Sequence, residues 1–145
     1  MSTLQMCTFT VDKLLLGVDV LSVQEVIRHH AMTTVPLAPT VVRGLINLRG
    51  QIVMAIDLRH RLGLPERGDD TMSMNVVVRT DEGPISLLVD EIGDVIEVPV
   101  GEFEPPPRTF SGPARALVDG VYKLHEQLLL VLDVGAAVQI GAAAA

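Results

Sequence analysis

Residues 44–58 read GLINLRGQIVMAIDL, and residues 120–134 read GVYKLHEQLLLVLDV. The two stretches align without a gap. Gly44 falls on Gly120, Leu48 on Leu124, Gln51 on Gln127 and Asp57 on Asp133, with apolar residues facing apolar ones between them. Self-similarity of this kind marks a repeated structural unit. In each copy two apolar runs flank a polar break and end at an aspartate, the pattern of a hairpin followed by a capped helical turn. In the first copy, strands over 45–48 and 51–56 meet at Arg49-Gly50, and Asp57 caps a short helix over 58–62 that Gly63 and Pro65 end. In the second, strands over 118–124 and 127–132 make the last hairpin, and the Ala-rich tail from Val134 holds one or two helical turns.

Outward from this repeat, short apolar runs broken by turn formers at intervals of about ten residues continue through the chain, which is the signature of an all-β sandwich or barrel. A first hairpin is read over 9–12 and 14–20 around Asp12-Lys13. A strand over 32–35 ends at Pro36, and Ala38-Pro39 starts a helical turn over 40–43 that Gly44 stops. Further strands fall at 75–79, 85–90 and 94–98, and a weak echo relates 16–19 to 87–90. Glu102-Phe-Glu-Pro-Pro-Pro107 is read as an extended connector outside any sheet, because proline lacks the N–H donor. The charged, turn-forming stretch 65–71 is read as the linker between halves, giving subdomains 1–66 and 72–145, with exchange of terminal strands allowed for. The expectation is two similar small β-barrels packed together.

Composition narrows the function. The 145 residues are 48% hydrophobic and 20% charged, with a mean hydropathy of +0.41, so a sizeable core is available and disorder is excluded. With a net charge of −7 and a pI near 4.9, the chain has the wrong sign for nucleic acid or an anionic membrane. No Trp and a single Tyr leave no base-stacking platform. The lone Cys7 forms no intrachain disulfide, and the N-terminus lacks the charged start and apolar run of a signal peptide, which points to the cytoplasm. The uncharged run 134–145 is far shorter than the roughly 20 residues that span a bilayer.

The motifs of catalysis are missing: there is no glycine-rich phosphate loop and no G-x-S-x-G elbow, so neither an enzyme nor a cofactor is expected. His29 and His30, on a strand, point to opposite faces and cannot chelate one ion, so no metal site is expected. Asp90, Glu91, Asp94 and Glu97 are read as a solvated turn rather than an acid–base pair, and Arg67-Gly68-Asp69 as coincidence. What remains is an aliphatic surface with polar punctuation, suited to binding other proteins. Two elements stand out. Val23, Val26 and Ile27 share one helical face, leaving Glu25 and Arg28 outside it, and Arg49-Gly50 offers a charged fork at a hairpin tip. Each also has a plain structural reading, as a core-facing turn and as a turn residue.

Those elements, with Gly17-Val18-Asp19-Val20, Val35-Pro36-Leu37-Ala38-Pro39, Gly44-Leu45-Ile46-Asn47-Leu48-Arg49-Gly50 running into Asp57-Leu58-Arg59, and Leu88-Val89-Asp90-Glu91-Ile92-Gly93-Asp94-Val95, resemble the CheW family of bacterial chemotaxis coupling proteins. The resemblance covers nearly the whole chain, 1–145, as one domain. It implies an all-β fold of two five-stranded SH3-like β-barrels packed together with short connecting helices. It also implies a non-enzymatic adaptor, with neither metal nor cofactor, that joins the cytoplasmic tip of a chemoreceptor to the regulatory domain of a CheA-type histidine kinase. Such an adaptor would sit in the cytoplasm at membrane receptor arrays, inserting into no membrane and binding no nucleic acid. Carried over motif by motif, Val23, Glu25, Gly44, Arg49 and Gly50 become the interaction-site residues. The chain departs from the family at Leu16, where an aromatic is usual, and in its short Ala-rich C-terminus. A CheW-like domain also forms the regulatory end of CheA, but no phosphoacceptor helix or ATP-binding box occurs in this chain, which sets a whole kinase aside and leaves a fragment of one as an alternative. The competing class is a small-molecule sensor or enzyme reusing the barrel, since fold does not fix function.

Overall fold

A computed structural model of the chain describes residues 2–28, 30–65, 73–108, 110 and 112–139. The strands are β1 (Thr3–Val11), β2 (Leu14–Asp19), β3 (Val23–Ile27), β4 (Val42–Leu48), β5 (Gln51–Asp57), β6 (Met74–Thr80), β7 (Gly83–Val89), β8 (Glu91–Pro99), β9 (Val118–Lys123) and β10 (Leu128–Leu132). Two four-residue helices, α1 (Leu58–Arg61) and α2 (Val134–Ala137), follow β5 and β10. One five-stranded sheet has the order β8-β1-β2-β10-β9, the other β3-β6-β7-β5-β4. We call them the first and second barrel.

The two orders are the same plan written twice. In each, a tight hairpin (β1–β2, β6–β7) pairs in parallel with the second strand of the repeated hairpin, Leu130 beside Leu16 and Met54 beside Ile85. The tips of the first two hairpins match as well: Val11 faces Leu14 across Asp12-Lys13, and Thr80 faces Gly83 across the next pair. The 44–58 and 120–134 repeat holds in three dimensions, because Asp57 and Asp133 cap α1 and α2 with near-identical backbone angles and accept from Arg59 N–H and Ala136 N–H.

The barrels do not divide at 65–71. That stretch connects α1 to β6 inside the second barrel, and the first barrel draws on both ends of the chain. After β2 a single 3-10 turn, Val20–Ser22, carries the chain straight on into β3, which pairs with β6. After β7 only Asp90 intervenes before β8, which pairs with β1. Each hairpin therefore hands its third strand to the other barrel. A division at the linker presumes that strands close in sequence share a sheet, and two short connectors overrule that tendency. Asp90, read as part of a solvated turn, is instead a crossover pin: its carboxylate accepts from Arg59 Nε at 3.0 Å, Arg59 Nη2 at 2.7 Å and the Asp12 amide at 2.6 Å. The Arg59 guanidinium, held above its ordinary pKa mainly by this bond, also donates to the Pro65 carbonyl at 2.8 Å.

Packing explains the apolar composition. In β1, Leu4 and Met6 face the interior of the first barrel with Tyr122 and Leu129, while Cys7, Phe9 and Val11 face a core shared with Val76, Val78 and Leu87 of the second. Both faces of the central strands are covered, so they read as continuous apolar runs rather than as strict alternation. The second barrel keeps its own interior of Ile46, Leu48, Val53 and Val77.

Each barrel closes by one device. Past β3, Thr33 exchanges two 2.8 Å backbone hydrogen bonds with Leu45, and past β8, Glu104 exchanges bonds of 2.9 and 2.7 Å with Val121. The residue beside each bridge is a repeated glycine. A Cβ on Gly44 would lie 2.7 Å from the Thr33 carbonyl oxygen, and one on Gly120 would lie 2.5 Å from that of Glu104. Glycine is needed here for close backbone approach.

Several local expectations are corrected accordingly. Residues 40–43 form no helix; a turn there leads into β4, and Gly44 is a strand residue rather than a helix stop. Over 32–35 only Thr33 pairs, as an isolated bridge, and Glu104 pairs although its proline neighbours do not. His29, Arg67-Gly68-Asp69 and the tail beyond 139 lie outside the described residues.

Candidate protein-interaction site

The segment 23–28 is strand, not helix. β3 pairs antiparallel with β6 and carries a bulge between Val23 and Glu25, so Val23, Glu25 and Ile27 are half-buried while Gln24 and Val26 face outward. Period two wins over the 3.6 spacing because β6 offers an edge to pair with, whereas a five-residue helix would be marginal. Glu25 thereby turns toward the β4–β5 tip.

That tip is a two-residue turn with positive φ at both positions, 51° at Arg49 and 88° at Gly50, the geometry that matches the twist of a hairpin. Glycine takes it freely. Arginine there pays roughly 1–3 kcal/mol and persists only where surrounding contacts hold it. Two sets of contacts do so. Both terminal guanidinium nitrogens of Arg49 reach the Glu25 carboxylate, Nη1 to Oε1 at 3.2 Å and Nη2 to Oε2. The Gly50 N–H donates to Asn47 Oδ1 at 2.9 Å, and His30 Nε2 donates to the Asn47 carbonyl at 3.1 Å. The arginine is nonetheless 71% exposed, against 21% for the glutamate, so the pair presents a fixed cation to solvent. Val26 and Ile52, 38% and 61% exposed, add apolar surface on the neighbouring strands.

Of the five nominated residues, Glu25, Arg49 and Gly50 come together. Val23 sits at the start of β3, packed against the shared core, with its carbonyl held by Arg79 Nη1 at 2.9 Å. Gly44 lies five residues back from Arg49 along the hairpin, roughly 17 Å at about 3.3 Å per residue, and serves barrel closure. The sequence reading gave Asn47, His30 and Ile52 no part in the interaction site. Asn47 was findable, since an asparagine three residues before a turn glycine is well placed to accept from its amide. The contact from His30 needed the path of the chain.

Cys7 is buried and burial pushes its thiol up, which makes a poor nucleophile. Among the described residues no group of three or more His, Cys, Asp or Glu could hold a metal, and no helix is long and apolar enough to cross a membrane. What the tip can do is make a directional, charge-assisted contact beside apolar surface.

Comparison with known proteins identifies the family of the chain. Over 134 residues the chain is 29% identical to the chemotaxis protein CheW of Treponema pallidum, covering 90% of this chain and 79% of that one. It is 29% identical to the CheW of Bacillus subtilis over 132 residues, 91% and 85% of the two chains. The crystal structure of the scaffolding protein TtCheW from Thermoanaerobacter tengcongensis superposes with a TM-score of 0.82 at 30% identity, covering 91% of this chain and 90% of that one. The model of the CheW-like domain matches residues 5–141. The chain belongs to the CheW-like family and is a chemotaxis scaffold of two five-stranded barrels.

Proposed function

We propose that the chain is a non-enzymatic cytoplasmic adaptor whose second barrel receives the cytoplasmic tip of a chemoreceptor through Val23, Glu25, Gly44, Arg49 and Gly50. A separate face binds the regulatory domain of a CheA-type histidine kinase. The observation that carries this reading is the Glu25–Arg49 pair: a strained arginine held by a bidentate carboxylate, largely exposed, beside Val26 and Ile52. Positive φ also occurs at Asp12 of the β1–β2 tip, so what sets this tip apart is the exposed arginine clamped by a carboxylate. Val23 and Gly44 act in it as supports, one by setting β3 on the core and the other by closing the barrel that aims the tip.

The test is a titration of Arg49→Glu against a receptor tip and, separately, against the kinase regulatory domain. Charge reversal in a desolvated contact should cost the receptor at least about 2 kcal/mol, a loss of about thirtyfold, with kinase affinity held within about threefold. Losing an exposed ion pair should cost folding no more than about 1 kcal/mol. Unchanged receptor affinity removes Arg49 from the contact, and equal loss toward both partners means that the faces are not separate.

A further inference from the structure

A cavity of about 480 Å³ opens in the first barrel, walled by Leu4, Met6, Val100, Phe103, Tyr122 and Val131. The interiors of the two barrels correspond, with Ile46, Leu48 and Val53 of the second matching Tyr122, Leu124 and Leu129 of the first. The cavity's volume falls in the range of sites that take a ligand group, and the Phe103 ring, edge-on to Tyr122 with centroids 5.5 Å apart, forms part of its rim.

Two carboxylates, Asp19 and Asp119, also line the cavity, and among the described residues no basic side chain joins them. The repeat shows what is unusual about Asp119. Its counterpart in the second barrel is Arg43, whose Nη1 lies 3.3 Å from Asp57 Oδ2. In the first barrel the counterpart of Asp57 is Asp133, so an aspartate faces an aspartate where the other barrel sets a guanidinium against one. Burial, and then the charge and hydrogen bond of Asp133, hold the Asp119 carboxyl above the ordinary carboxylate range. The second barrel thus supplies its own cation, and the first sets a second carboxyl in that place beside an apolar cavity.

We infer that this cavity is a docking socket for a partner peptide in which a bulky apolar side chain adjoins an arginine or lysine, the apolar group entering between Met6, Phe103 and Val131 and the cation meeting Asp119. An acidic or uncharged apolar segment fits poorly, because it would desolvate the Asp119 carboxyl, already set against Asp133, and bring no cation to it. The socket is independent of the receptor reading, since Glu25 and Arg49 belong to the other barrel.

The experiment follows amide shifts of the full chain at pH 7 on titration with the blocked tetrapeptide Ac-Gly-Leu-Arg-Gly-NH2. Ac-Gly-Leu-Glu-Gly-NH2 and Ac-Gly-Gly-Arg-Gly-NH2 are the controls. The socket predicts saturable shifts at Leu4, Asp119 and Val131 with the Leu-Arg peptide, and affinity at least tenfold weaker for each control. Asp119→Asn should weaken the Leu-Arg peptide severalfold. Asp119→Arg should abolish binding while keeping the melting temperature at or above wild type, because it restores the pairing seen at Arg43–Asp57. Equal affinity for the Gly-Arg control shows charge attraction alone, and equal affinity for the Leu-Glu control shows apolar binding alone. Shifts confined to other residues, or full affinity in Asp119→Arg, likewise overturn the proposal.

Discussion

Set strand against strand, the two barrels agree in strand order, closure and capping and differ in several of the side chains placed on that frame. Both close on a glycine that admits a bridging backbone, both cap a four-residue helix with aspartate, and both bulge the exchanged strand just before an acidic residue, Glu25 in β3 and Asp94 in β8. Yet the hairpin tip is Arg49-Gly50 in one and His125-Glu126 in the other, and Arg43 of one is Asp119 of the other. Glu25 is locked to Arg49, whereas among the described residues no ion pair joins Asp94 to the His125 tip. The frame is repeated, and the exposed positions differ, a clamped cation on one barrel and an acidic pair on the other.

The comparison can be broken first in the shared core. Phe9 of β1 and its counterpart Val78 of β6 are both fully buried. Phe9→Ala should cost about 3–5 kcal/mol and Val78→Ala less, because fewer atoms are lost, as read by denaturant unfolding. If Phe9→Ala cost under about 1 kcal/mol, the core would not be one continuous unit.

The closing glycines come next. Gly44→Ala and Gly120→Ala should each cost about 1–3 kcal/mol through backbone crowding. Gly120 should be the worse, since its Cβ would also come within 2.2 Å of Phe103 Cζ. A neutral result at both sites would leave the repeated glycines unexplained. The caps follow. Asp57→Ala removes an amide acceptor and leaves Arg43 unpaired, so a loss of about 1–2 kcal/mol is expected. Asp133→Ala removes a cap but relieves Asp119, so its loss should be smaller, and an equal loss would argue against the carboxylate pair.

The smallest effect is in pH. Asp119 holds its proton more tightly folded than unfolded, so its contribution to stability is present at low pH. That contribution is lost as pH rises from the ordinary carboxylate pKa through the raised folded value. Melting of Asp119→Asn should therefore fall less than wild type across that window. Parallel curves would show that the carboxyl titrates as an ordinary one.

Much of this was legible in the residues, and the misses share a cause. The gap-free repeat located both hairpins and both caps because these are local structures fixed by turn and cap chemistry. The exchange of β3 and β8 was hidden because it depends on how a three-residue turn and a single Asp90 steer the chain. Nothing in their composition says which sheet comes next. The same blindness made Val23 to Ile27 look helical and Gly44 look like a helix stop, since their true partners, β6 and Thr33, are remote or weakly patterned. At the site, Arg49-Gly50 was readable as a tip, but its lock to Glu25 joins strands from opposite edges of a sheet and needed the closed barrel.

If one of two equivalent tips is the binding site, the same substitution made at both tests it most directly. Arg49→Glu and His125→Glu, each titrated against the receptor tip, place one new carboxylate at matching ends of matching hairpins. The predicted result is about a thirtyfold loss for Arg49→Glu and less than about threefold for His125→Glu, with both proteins folded. Equal losses, or a loss only at His125, would contradict the assignment of recognition to the second barrel.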